Sequence, residues 1–210
     1  MSLLTGNVLE EVDSPINGKI RVVRSLGLGT YIQVENITQS GGIVRGIWRA
    51  TLKQVAKLRP QVKNCLILGL GGGTAAGQII KNWPNAKITG VDNDAKMVEM
   101  GQKYLGLKEV KTVISDALKF SKQAYKKAQR YDLILIDIYL GRTFPPQFES
   151  DDFIVTVKGL LANGGIAIFN RLYYAEKRPE AMKFATKLEA VFPKVKYVHP
   201  EANVMLLCYN

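Results

Sequence analysis

The sequence predicts an α/β fold built on a mostly parallel sheet, and two features of the chain support this. From about residue 62 onward, short apolar runs alternate with segments of helical spacing, as strands alternate with crossover helices. The apolar runs lack polar alternation, so the predicted strands are buried on both faces, which is typical of parallel sheets. Residues 1–60 differ, because only short β-prone runs precede a helical segment there.

The elements predicted after residue 62 follow one another in strand–helix order. Strands are predicted at 65–68, 88–91, 110–114, 133–136 and 166–169, and a terminal hairpin at 195–198 and 204–208. Helices are predicted at 77–82, 95–104, 151–161 and 180–191, with a basic helix after the third strand. The segment Asn163-Gly164-Gly165 is expected to form the C-cap of the helix at 151–161.

The N-terminal region is predicted to form a small separate unit. Two β-prone runs, 20–23 and 31–34, surround Gly27-Leu28-Gly29 and predict an antiparallel hairpin. Residues 44–58 have the spacing of a helix that leads into the core. We therefore predict a hairpin unit with its linking helix over 1–58 and the α/β core over 59–210.

Composition excludes several classes of protein. The 210 residues contain no apolar run as long as the roughly 20 residues of a membrane helix, and no signal peptide is visible. The two cysteines, Cys65 and Cys208, lie in apolar runs and are expected to be reduced core residues of a cytoplasmic protein. His199 is the single histidine, which argues against a zinc site of the usual Cys/His type and against a Ser-His-Asp triad, so no metal site is predicted.

The net charge of +11 is unevenly distributed along the chain. The excess of basic residues is greatest over 96–130, whereas the segment 131–170 has an excess of acidic residues. The densest basic stretch, 119–130, is best explained as a solvated helix face. A nucleic-acid surface would need interleaved aromatic residues, and only Phe120 and Tyr125 occur there, so nucleic acid is a weakly supported partner.

A glycine-rich loop and a series of acidic residues predict a nucleoside site. Gly69, Gly71 and Gly73 follow the first core strand and open a helix, where glycine lets the backbone approach a ligand. Asp92 ends the second strand, where a carboxylate can accept hydrogen bonds from both ribose hydroxyls. Asp116 follows the third strand, where a carboxylate can accept from an adenine amino group.

The same series favours an adenosylmethionine-type site over a dinucleotide site. Asp137 ends the fourth strand, so the acids meet at the carboxyl edge of the predicted sheet, where ligands bind in open α/β proteins. The dinucleotide fingerprint G-x-G-x-x-G fails, because Thr74 stands where its third glycine is required.

Five segments resemble the spermidine/spermine synthase group of the class I AdoMet-dependent methyltransferase fold. They are Val91-Asp92-Asn93-Asp94, 113–117, the run YDLILID at 131–137, 148–153, and 32–39. The resemblance covers roughly 18–209. It implies a Rossmann-like, seven-stranded core with a C-terminal antiparallel hairpin, preceded by a small β unit. It also implies S-adenosylmethionine or decarboxylated S-adenosylmethionine as cofactor, and a homodimer formed through the N-terminal unit.

Several acidic positions of that family are not acidic here. Gly71 stands where the family's glycine loop has an acid, and Leu140 stands where its catalytic loop has a second acid. The family's Y-H-E segment reads Trp48-Arg49-Ala50, and its D-E pair reads Val44-Arg45. The nucleoside half of the site is therefore retained, whereas the polyamine-binding half is not.

The main prediction is a transferase, namely an AdoMet-dependent methyltransferase. In-line methyl transfer depends on alignment and does not demand a second carboxylate. Asp137, with Tyr139, is predicted to orient the acceptor, and Gln39, Trp48 and Arg49 are predicted to bind it.

Arginines on the acceptor side, Arg45, Arg49 and Arg142, favour a neutral or anionic small-molecule acceptor. Two alternatives stay open. One is an aminopropyltransferase of the spermidine synthase type, which makes polyamines, with a remodelled acceptor site. The other is a non-catalytic module that binds a nucleoside or interacts with nucleic acid.

Overall fold

The computed structural model describes residues 6–210 and contains two β-sheets. A four-stranded antiparallel sheet comes first, and a seven-stranded sheet with helices on both faces follows. This architecture confirms the predicted α/β class. Within residues 6–210, every helix is too short or too polar to span a membrane.

The N-terminal sheet is a meander of four strands, β1 (Asn7–Ser14), β2 (Gly18–Ser25), β3 (Gly29–Val34) and β4 (Ile37–Gly41). The predicted hairpin corresponds to β2 and β3, and the sequence prediction missed the two outer strands. β1 is mostly exposed and β4 is largely polar, so neither shows a clear apolar alternation. Glu35 and Asn36 form the β3–β4 turn with φ of 49° and 63°, the left-handed pair that suits a two-residue hairpin turn.

Helix α1 (Gly42–Leu58) connects the N-terminal sheet to the larger sheet. Its buried residues belong to the same apolar cluster as those of the core helix that follows. The division into 1–58 and 59–210 stays a prediction.

The core elements follow the predicted strand–helix order. They are β5 (Asn64–Leu68), α2 (Thr74–Asn82), β6 (Lys87–Asp92), α3 (Ala95–Tyr104), β7 (Val110–Ile114), α4 (Ala117–Lys126), β8 (Tyr131–Ile136), α5 (Asp151–Leu160), β9 (Leu161–Leu172), α6 (Arg178–Val191), β10 (Lys194–Val198) and β11 (Asn203–Tyr209). The strand order is β10-β11-β9-β8-β5-β6-β7, in which β5 to β9 are parallel and the terminal hairpin is antiparallel. The order reverses between β5 and β8, which is where open α/β sheets form their ligand crevice.

Each face of the large sheet carries three helices. Side chains alternate along β5, so that Leu66 and Leu68 pack with α4, α5 and α6, whereas Cys65 and Ile67 pack with α1, α2 and α3. The N-terminal sheet packs in turn on α3 through Met97 and Met100. Both faces of the central strands are therefore covered, as their uniform apolar sequence predicts.

One predicted feature of the core is wrong. The segment Asn163-Gly164-Gly165 does not cap a helix, because α5 ends at Leu160 and Leu161 is already extended and paired with Tyr131. The next paired residues are Leu133 and Ile166, so 162–165 form a bulge inside β9. The left-handed glycine, Gly164 at φ 65°, therefore serves a strand irregularity rather than a helix end.

Candidate functional site

A cavity of about 580 Å³ lies at the carboxyl ends of the parallel strands. The glycine loop after β5, the ends of β6, β7, β8 and β9, and the β10–β11 turn form its floor and sides. The β3–β4 turn and the first turns of α1 complete the wall opposite the sheet. The size falls within the ~300–1,000 Å³ of small-molecule sites.

The glycine loop contributes two of the three predicted glycines to the cavity. Gly69 and Gly71 line it, and both have positive φ. Gly73 does not line the cavity. It precedes α2 with φ 83°, and a Cβ there would clash with Leu107. Gly73 therefore contributes to the shape of the loop without facing the cavity, and its position differs from the predicted cofactor contact.

The N-terminal sheet is hydrogen-bonded directly to this loop. The backbone N–H of Gly72 donates to Ser40 Oγ at 2.8 Å, and the N–H of Gly41 donates to Thr74 Oγ1 at 2.6 Å. The end of β4 therefore fixes the loop at two successive points. Sequence reasoning did not identify Ser40 or Thr74, because each bond joins segments more than thirty residues apart.

Asp92 lies at the end of β6, as predicted, and faces the cavity. Its Oδ2 accepts from the N–H of Gly71 at 2.7 Å, and its Oδ1 accepts from the N–H of Asp94 at 2.9 Å. Burial raises the pKa of Asp92, while these backbone donors act in the opposite direction. A carboxylate oxygen can accept about two hydrogen bonds, so each oxygen retains capacity for a ribose hydroxyl.

Asp116 serves two purposes at the end of β7. It lines the cavity, and its side chain also caps α4 by accepting from the N–H of Lys119 at 2.8 Å. The neighbouring acid Asp94 lies outside the cavity and caps α3. Asp94 also accepts from the side chains of Ser14 and Asn17, which ties the N-terminal sheet to the end of β6.

Asp137 is held by two uncharged donors at the bottom of the cavity. Trp48 Nε1 donates to its Oδ2 at 3.0 Å, and Asn170 Nδ2 donates to its Oδ1 at 2.7 Å. Burial raises the pKa of Asp137, and the two donors act against that rise by stabilising the anion. Trp48, which is fully buried, is therefore both a core residue and a part of the cavity wall.

Sequence reasoning missed the two asparagines that accompany Asp137. Asn170 follows the apolar run 166–169 on β9, and Asn203 begins β11. Asn203 Nδ2 donates to Asn170 Oδ1 at 2.8 Å, and both residues are buried and line the cavity. The strand-end argument that identified Asp137 applies equally to Asn170, which is a polar residue just beyond an apolar strand.

Tyr139 lines the cavity with its hydroxyl already engaged by β9. The hydroxyl accepts from the N–H of Leu172 at 2.8 Å and donates to the carbonyl of Asn170 at 3.3 Å. Burial raises the pKa of Tyr139 far above its usual range. The residue therefore anchors the loop after β8 and offers an aromatic edge to the cavity, rather than a proton.

Of the residues predicted to bind the acceptor, Gln39 and Trp48 line the cavity and Arg49 does not. Gln39 lines the cavity, and its Nε2 is buried without a hydrogen-bond partner within residues 6–210. Arg49 and Arg45, in contrast, are exposed and do not line the cavity. Each residue of a helix is rotated about 100° from the last, so the orientation that buries Trp48 turns Arg49 outward. The prediction that these arginines face the acceptor is wrong.

The Asp, Glu, Lys and Arg residues around the cavity are mainly acidic. They are Asp92, Asp116, Asp137, Glu201 and Arg142. The cavity thus has an excess of carboxylates although the chain carries a net charge of +11. Among the described residues, His, Cys, Asp and Glu form no group of three or more that could hold a metal ion.

The fold and the cavity together define an open α/β protein with a ligand site at the carboxyl ends of its parallel strands. The chain belongs to the methyltransferase domain family, whose model matches residues 61–201. This membership and the structural neighbours confirm a spermidine synthase-like class I methyltransferase fold.

Two curated proteins illustrate the range of the relatives. An "eEF1A lysine and N-terminal methyltransferase homolog" from Drosophila pseudoobscura pseudoobscura is 30% identical over 178 residues, covering 79% of this chain and 26% of that protein. A "Probable polyamine aminopropyl transferase" from Bifidobacterium longum is 28% identical over 146 residues, covering 69% of this chain and 32% of that protein. The chain therefore spans about a quarter to a third of the length of these relatives.

Two solved structures share the fold. Human methyltransferase-like protein 13 in complex with SAH superposes with a TM-score of 0.68 at 26% identity, covering 78% of this chain and 81% of that one. A spermidine synthase in complex with the transition-state analogue AdoDATO superposes with a TM-score of 0.77 at 17% identity, covering 96% and 73%. The second likeness concerns the fold alone.

Proposed function

We propose that the chain binds AdoMet and transfers its methyl group to an amine acceptor in its neutral form. The observation that carries this proposal is the position of Asp137. Its carboxylate faces the cavity next to the glycine loop, and it is held by Trp48 and Asn170 without a charged partner. It is therefore free to accept a hydrogen bond from an acceptor N–H group.

The residues around the nucleoside half of the cavity fit AdoMet. Gly69 and Gly71 allow close approach of the backbone, Asp92 can accept from the ribose hydroxyls, and Asp116 can accept from the adenine amino group. The methyltransferase neighbour solved with SAH, at 26% identity, supports AdoMet as the ligand.

Methyl transfer to an amine requires that the amine be aligned with the methyl group and that the product lose one proton. When bound, AdoMet supplies a sulfonium methyl group, and transfer forms a C–N bond as the C–S bond breaks with its electron pair going to sulfur. Asp137 would orient the amine by accepting one N–H and would take up the proton that the methylated amine releases. Of the three arginines that favoured a neutral or anionic acceptor, Arg45 and Arg49 lie outside the cavity and only Arg142 lines it. The excess of carboxylates around the cavity favours an amine.

Aminopropyl transfer is the second candidate. The excess of carboxylates in the cavity and the similarity to a polyamine aminopropyl transferase favour it. Gly71 and Leu140 stand against it, because each replaces an acid of the spermidine synthase pattern, and Leu140 is half exposed at the cavity. The dimer expected through the N-terminal unit and the cytoplasmic location both stay predictions.

Calorimetry with AdoMet, decarboxylated AdoMet and methylthioadenosine separates the candidates. We expect AdoMet to bind more tightly than its decarboxylated form, and the opposite ranking would favour aminopropyl transfer. Label from methyl-labelled AdoMet should appear on an amine, tested with lysine-containing peptides and with polyamines. Asp137→Asn should abolish transfer, whereas Asp151→Asn, an exposed change in the first turn of α5, should not. Absence of binding by all three ligands, with retention on a nucleic-acid column, would overturn the proposal.

A further inference from the structure

Four side chains that line the cavity form a continuous hydrogen-bonded chain. Asn203 donates to Asn170, Asn170 donates to Asp137, and Trp48 donates to the other oxygen of Asp137. These residues come from β11, β9, the end of β8 and α1. Asn170 and Asn203 are each 6% exposed, and Trp48 is fully buried.

The direction of the Asn170 amide is fixed by its two neighbours. Its Oδ1 accepts from Asn203 at 2.8 Å, so its Nδ2 is turned toward Asp137. A reversed amide would place Oδ1 against the Asp137 carboxylate and Nδ2 against the Asn203 amide nitrogen. Both contacts would be repulsive, because an oxygen would face an oxygen and a donor would face a donor.

We propose that Asn170 is a positioning residue, which holds the Asp137 carboxylate in one orientation toward the cavity, and that Asn203 fixes the direction of the Asn170 amide. Each Asp137 oxygen then accepts one protein donor and keeps capacity for a group in the cavity. Both protein donors are uncharged, so the carboxylate is stabilised as an anion but is not neutralised by a cation.

Other ionisable groups near Asp137 do not replace this arrangement. Those that line the same cavity are Tyr139, Tyr174, Arg142, Asp92, Asp116 and Glu201. Among the described residues, the side-chain hydrogen bonds of Asp137 come only from Trp48 and Asn170. Arg171, the next residue on β9, instead pairs with Glu149 on the far side of the strand. Loss of the Asn170 donor should therefore leave one Asp137 oxygen without a protein partner.

The test combines NMR titration with kinetics and uses three variants. In Asn170→Ala, the pKa of Asp137 should rise above the wild-type value. The titration is measured from the carboxyl ¹³C chemical shift of Asp137, and this signal is assigned by its loss in Asp137→Asn. Asn203→Ala should raise the pKa less, because the donor remains but its direction is no longer fixed. Asn163→Ala, in the exposed bulge of β9, is the control and should leave the pKa unchanged.

The kinetic readout rests on the proposed function, whereas the titration does not. If the wild type transfers a methyl group, Asn170→Ala should lower kcat by about tenfold or more, as expected for a lost hydrogen bond to a charged group. The acidic limb of its pH profile should move to higher pH, while AdoMet affinity stays within about twofold of wild type. An inactive wild type would count against the proposed function alone.

An unchanged pKa of Asp137 in Asn170→Ala would overturn the inference, whatever the activity. If Asn170→Ala does not fold, Asn203→Ala decides, because within residues 6–210 the Asn203 side chain makes a single hydrogen bond, so its loss should disturb the fold less. An Asp137 pKa in Asn203→Ala equal to that of Asn163→Ala would then overturn the inference in the same way.

Discussion

Replacement of Gly69 by alanine should destabilise the protein and disturb the cavity at the same time. Gly69 has φ 88°, a left-handed conformation that strains any residue with a Cβ. The added Cβ would also lie against the backbone carbonyl of Asp137, well inside contact distance. A backbone carbonyl cannot rotate away as a flexible side chain can, so either the glycine loop or the end of β8 must move.

The expected loss of stability is the sum of two costs, the strained backbone conformation and the steric overlap. The left-handed backbone costs alanine about 1–2 kcal/mol, and overpacking against a fixed group costs about 1–3 kcal/mol. Gly69→Ala should therefore lower the free energy of unfolding by about 2–5 kcal/mol, which a domain of ordinary stability, about 5–15 kcal/mol, can tolerate while remaining folded. AdoMet affinity should fall as well, because Gly69 lines the cavity.

Gly77→Ala provides the matched control and should have the opposite sign. Gly77 lies inside α2, and a Cβ there meets no other group within 4 Å. Alanine favours a helix interior over glycine by about 0.5–1 kcal/mol, so this variant should be more stable than wild type.

Urea denaturation measures both stabilities, and calorimetry measures AdoMet binding. A free energy of unfolding of Gly69→Ala within about 0.5 kcal/mol of wild type would contradict this prediction, because that difference is below the smaller of the two penalties. A loss of stability in Gly77→Ala would equally contradict the geometry described for the loop and helix.

Three further predictions concern charged residues. Asp92→Ala should remove measurable AdoMet affinity in calorimetry, since the ribose hydroxyls lose their acceptor; unchanged affinity would contradict the site assignment. Burial raises the pKa of Asp137 above its ordinary value of 3.8, so its contribution to stability is complete below that pH and is lost as the pH rises through the raised pKa. The free energy of unfolding of Asp137→Asn, relative to that of wild type, should therefore increase from pH 4 upward in urea denaturation, and a constant difference would contradict this. Arg171→Met should destabilise by about 2–4 kcal/mol, because Arg171 is buried and pairs with the partly exposed Glu149 at 2.6 Å; Arg171→Met with Glu149→Gln should recover part of that loss.

The ends of strands were the most predictable part of the site. Asp92 and Asp137 were identified because each directly follows an apolar run, and the carboxyl ends of parallel strands share one edge of the sheet. Asn170 fits the same rule, but it is an uncharged amide and carries no signal of the acidic kind that marks Asp92 and Asp137. The bonds from Ser40 to the glycine loop and from Asn203 to Asn170 had no local signal, since their partners are about thirty residues apart.

The exposure of Arg49 could not be predicted from the sequence. Its alignment with an acceptor-site motif predicted a basic wall, but the motif does not specify how α1 is rotated about its axis. Packing of Trp48 and Ile47 against the large sheet sets that rotation and leaves Arg49 exposed. The cavity is therefore lined by fewer basic residues than the motif predicted.

The α/β class, the order of the core elements and the acids at the strand ends could be predicted from the sequence, because these depend on local periodicity and on chain direction. Which side chains share the cavity with Asp137, and which face solvent, became known from the three-dimensional packing. Those outcomes depend on helix rotation and on hydrogen bonds between distant segments, and both follow from how the apolar surfaces pack together.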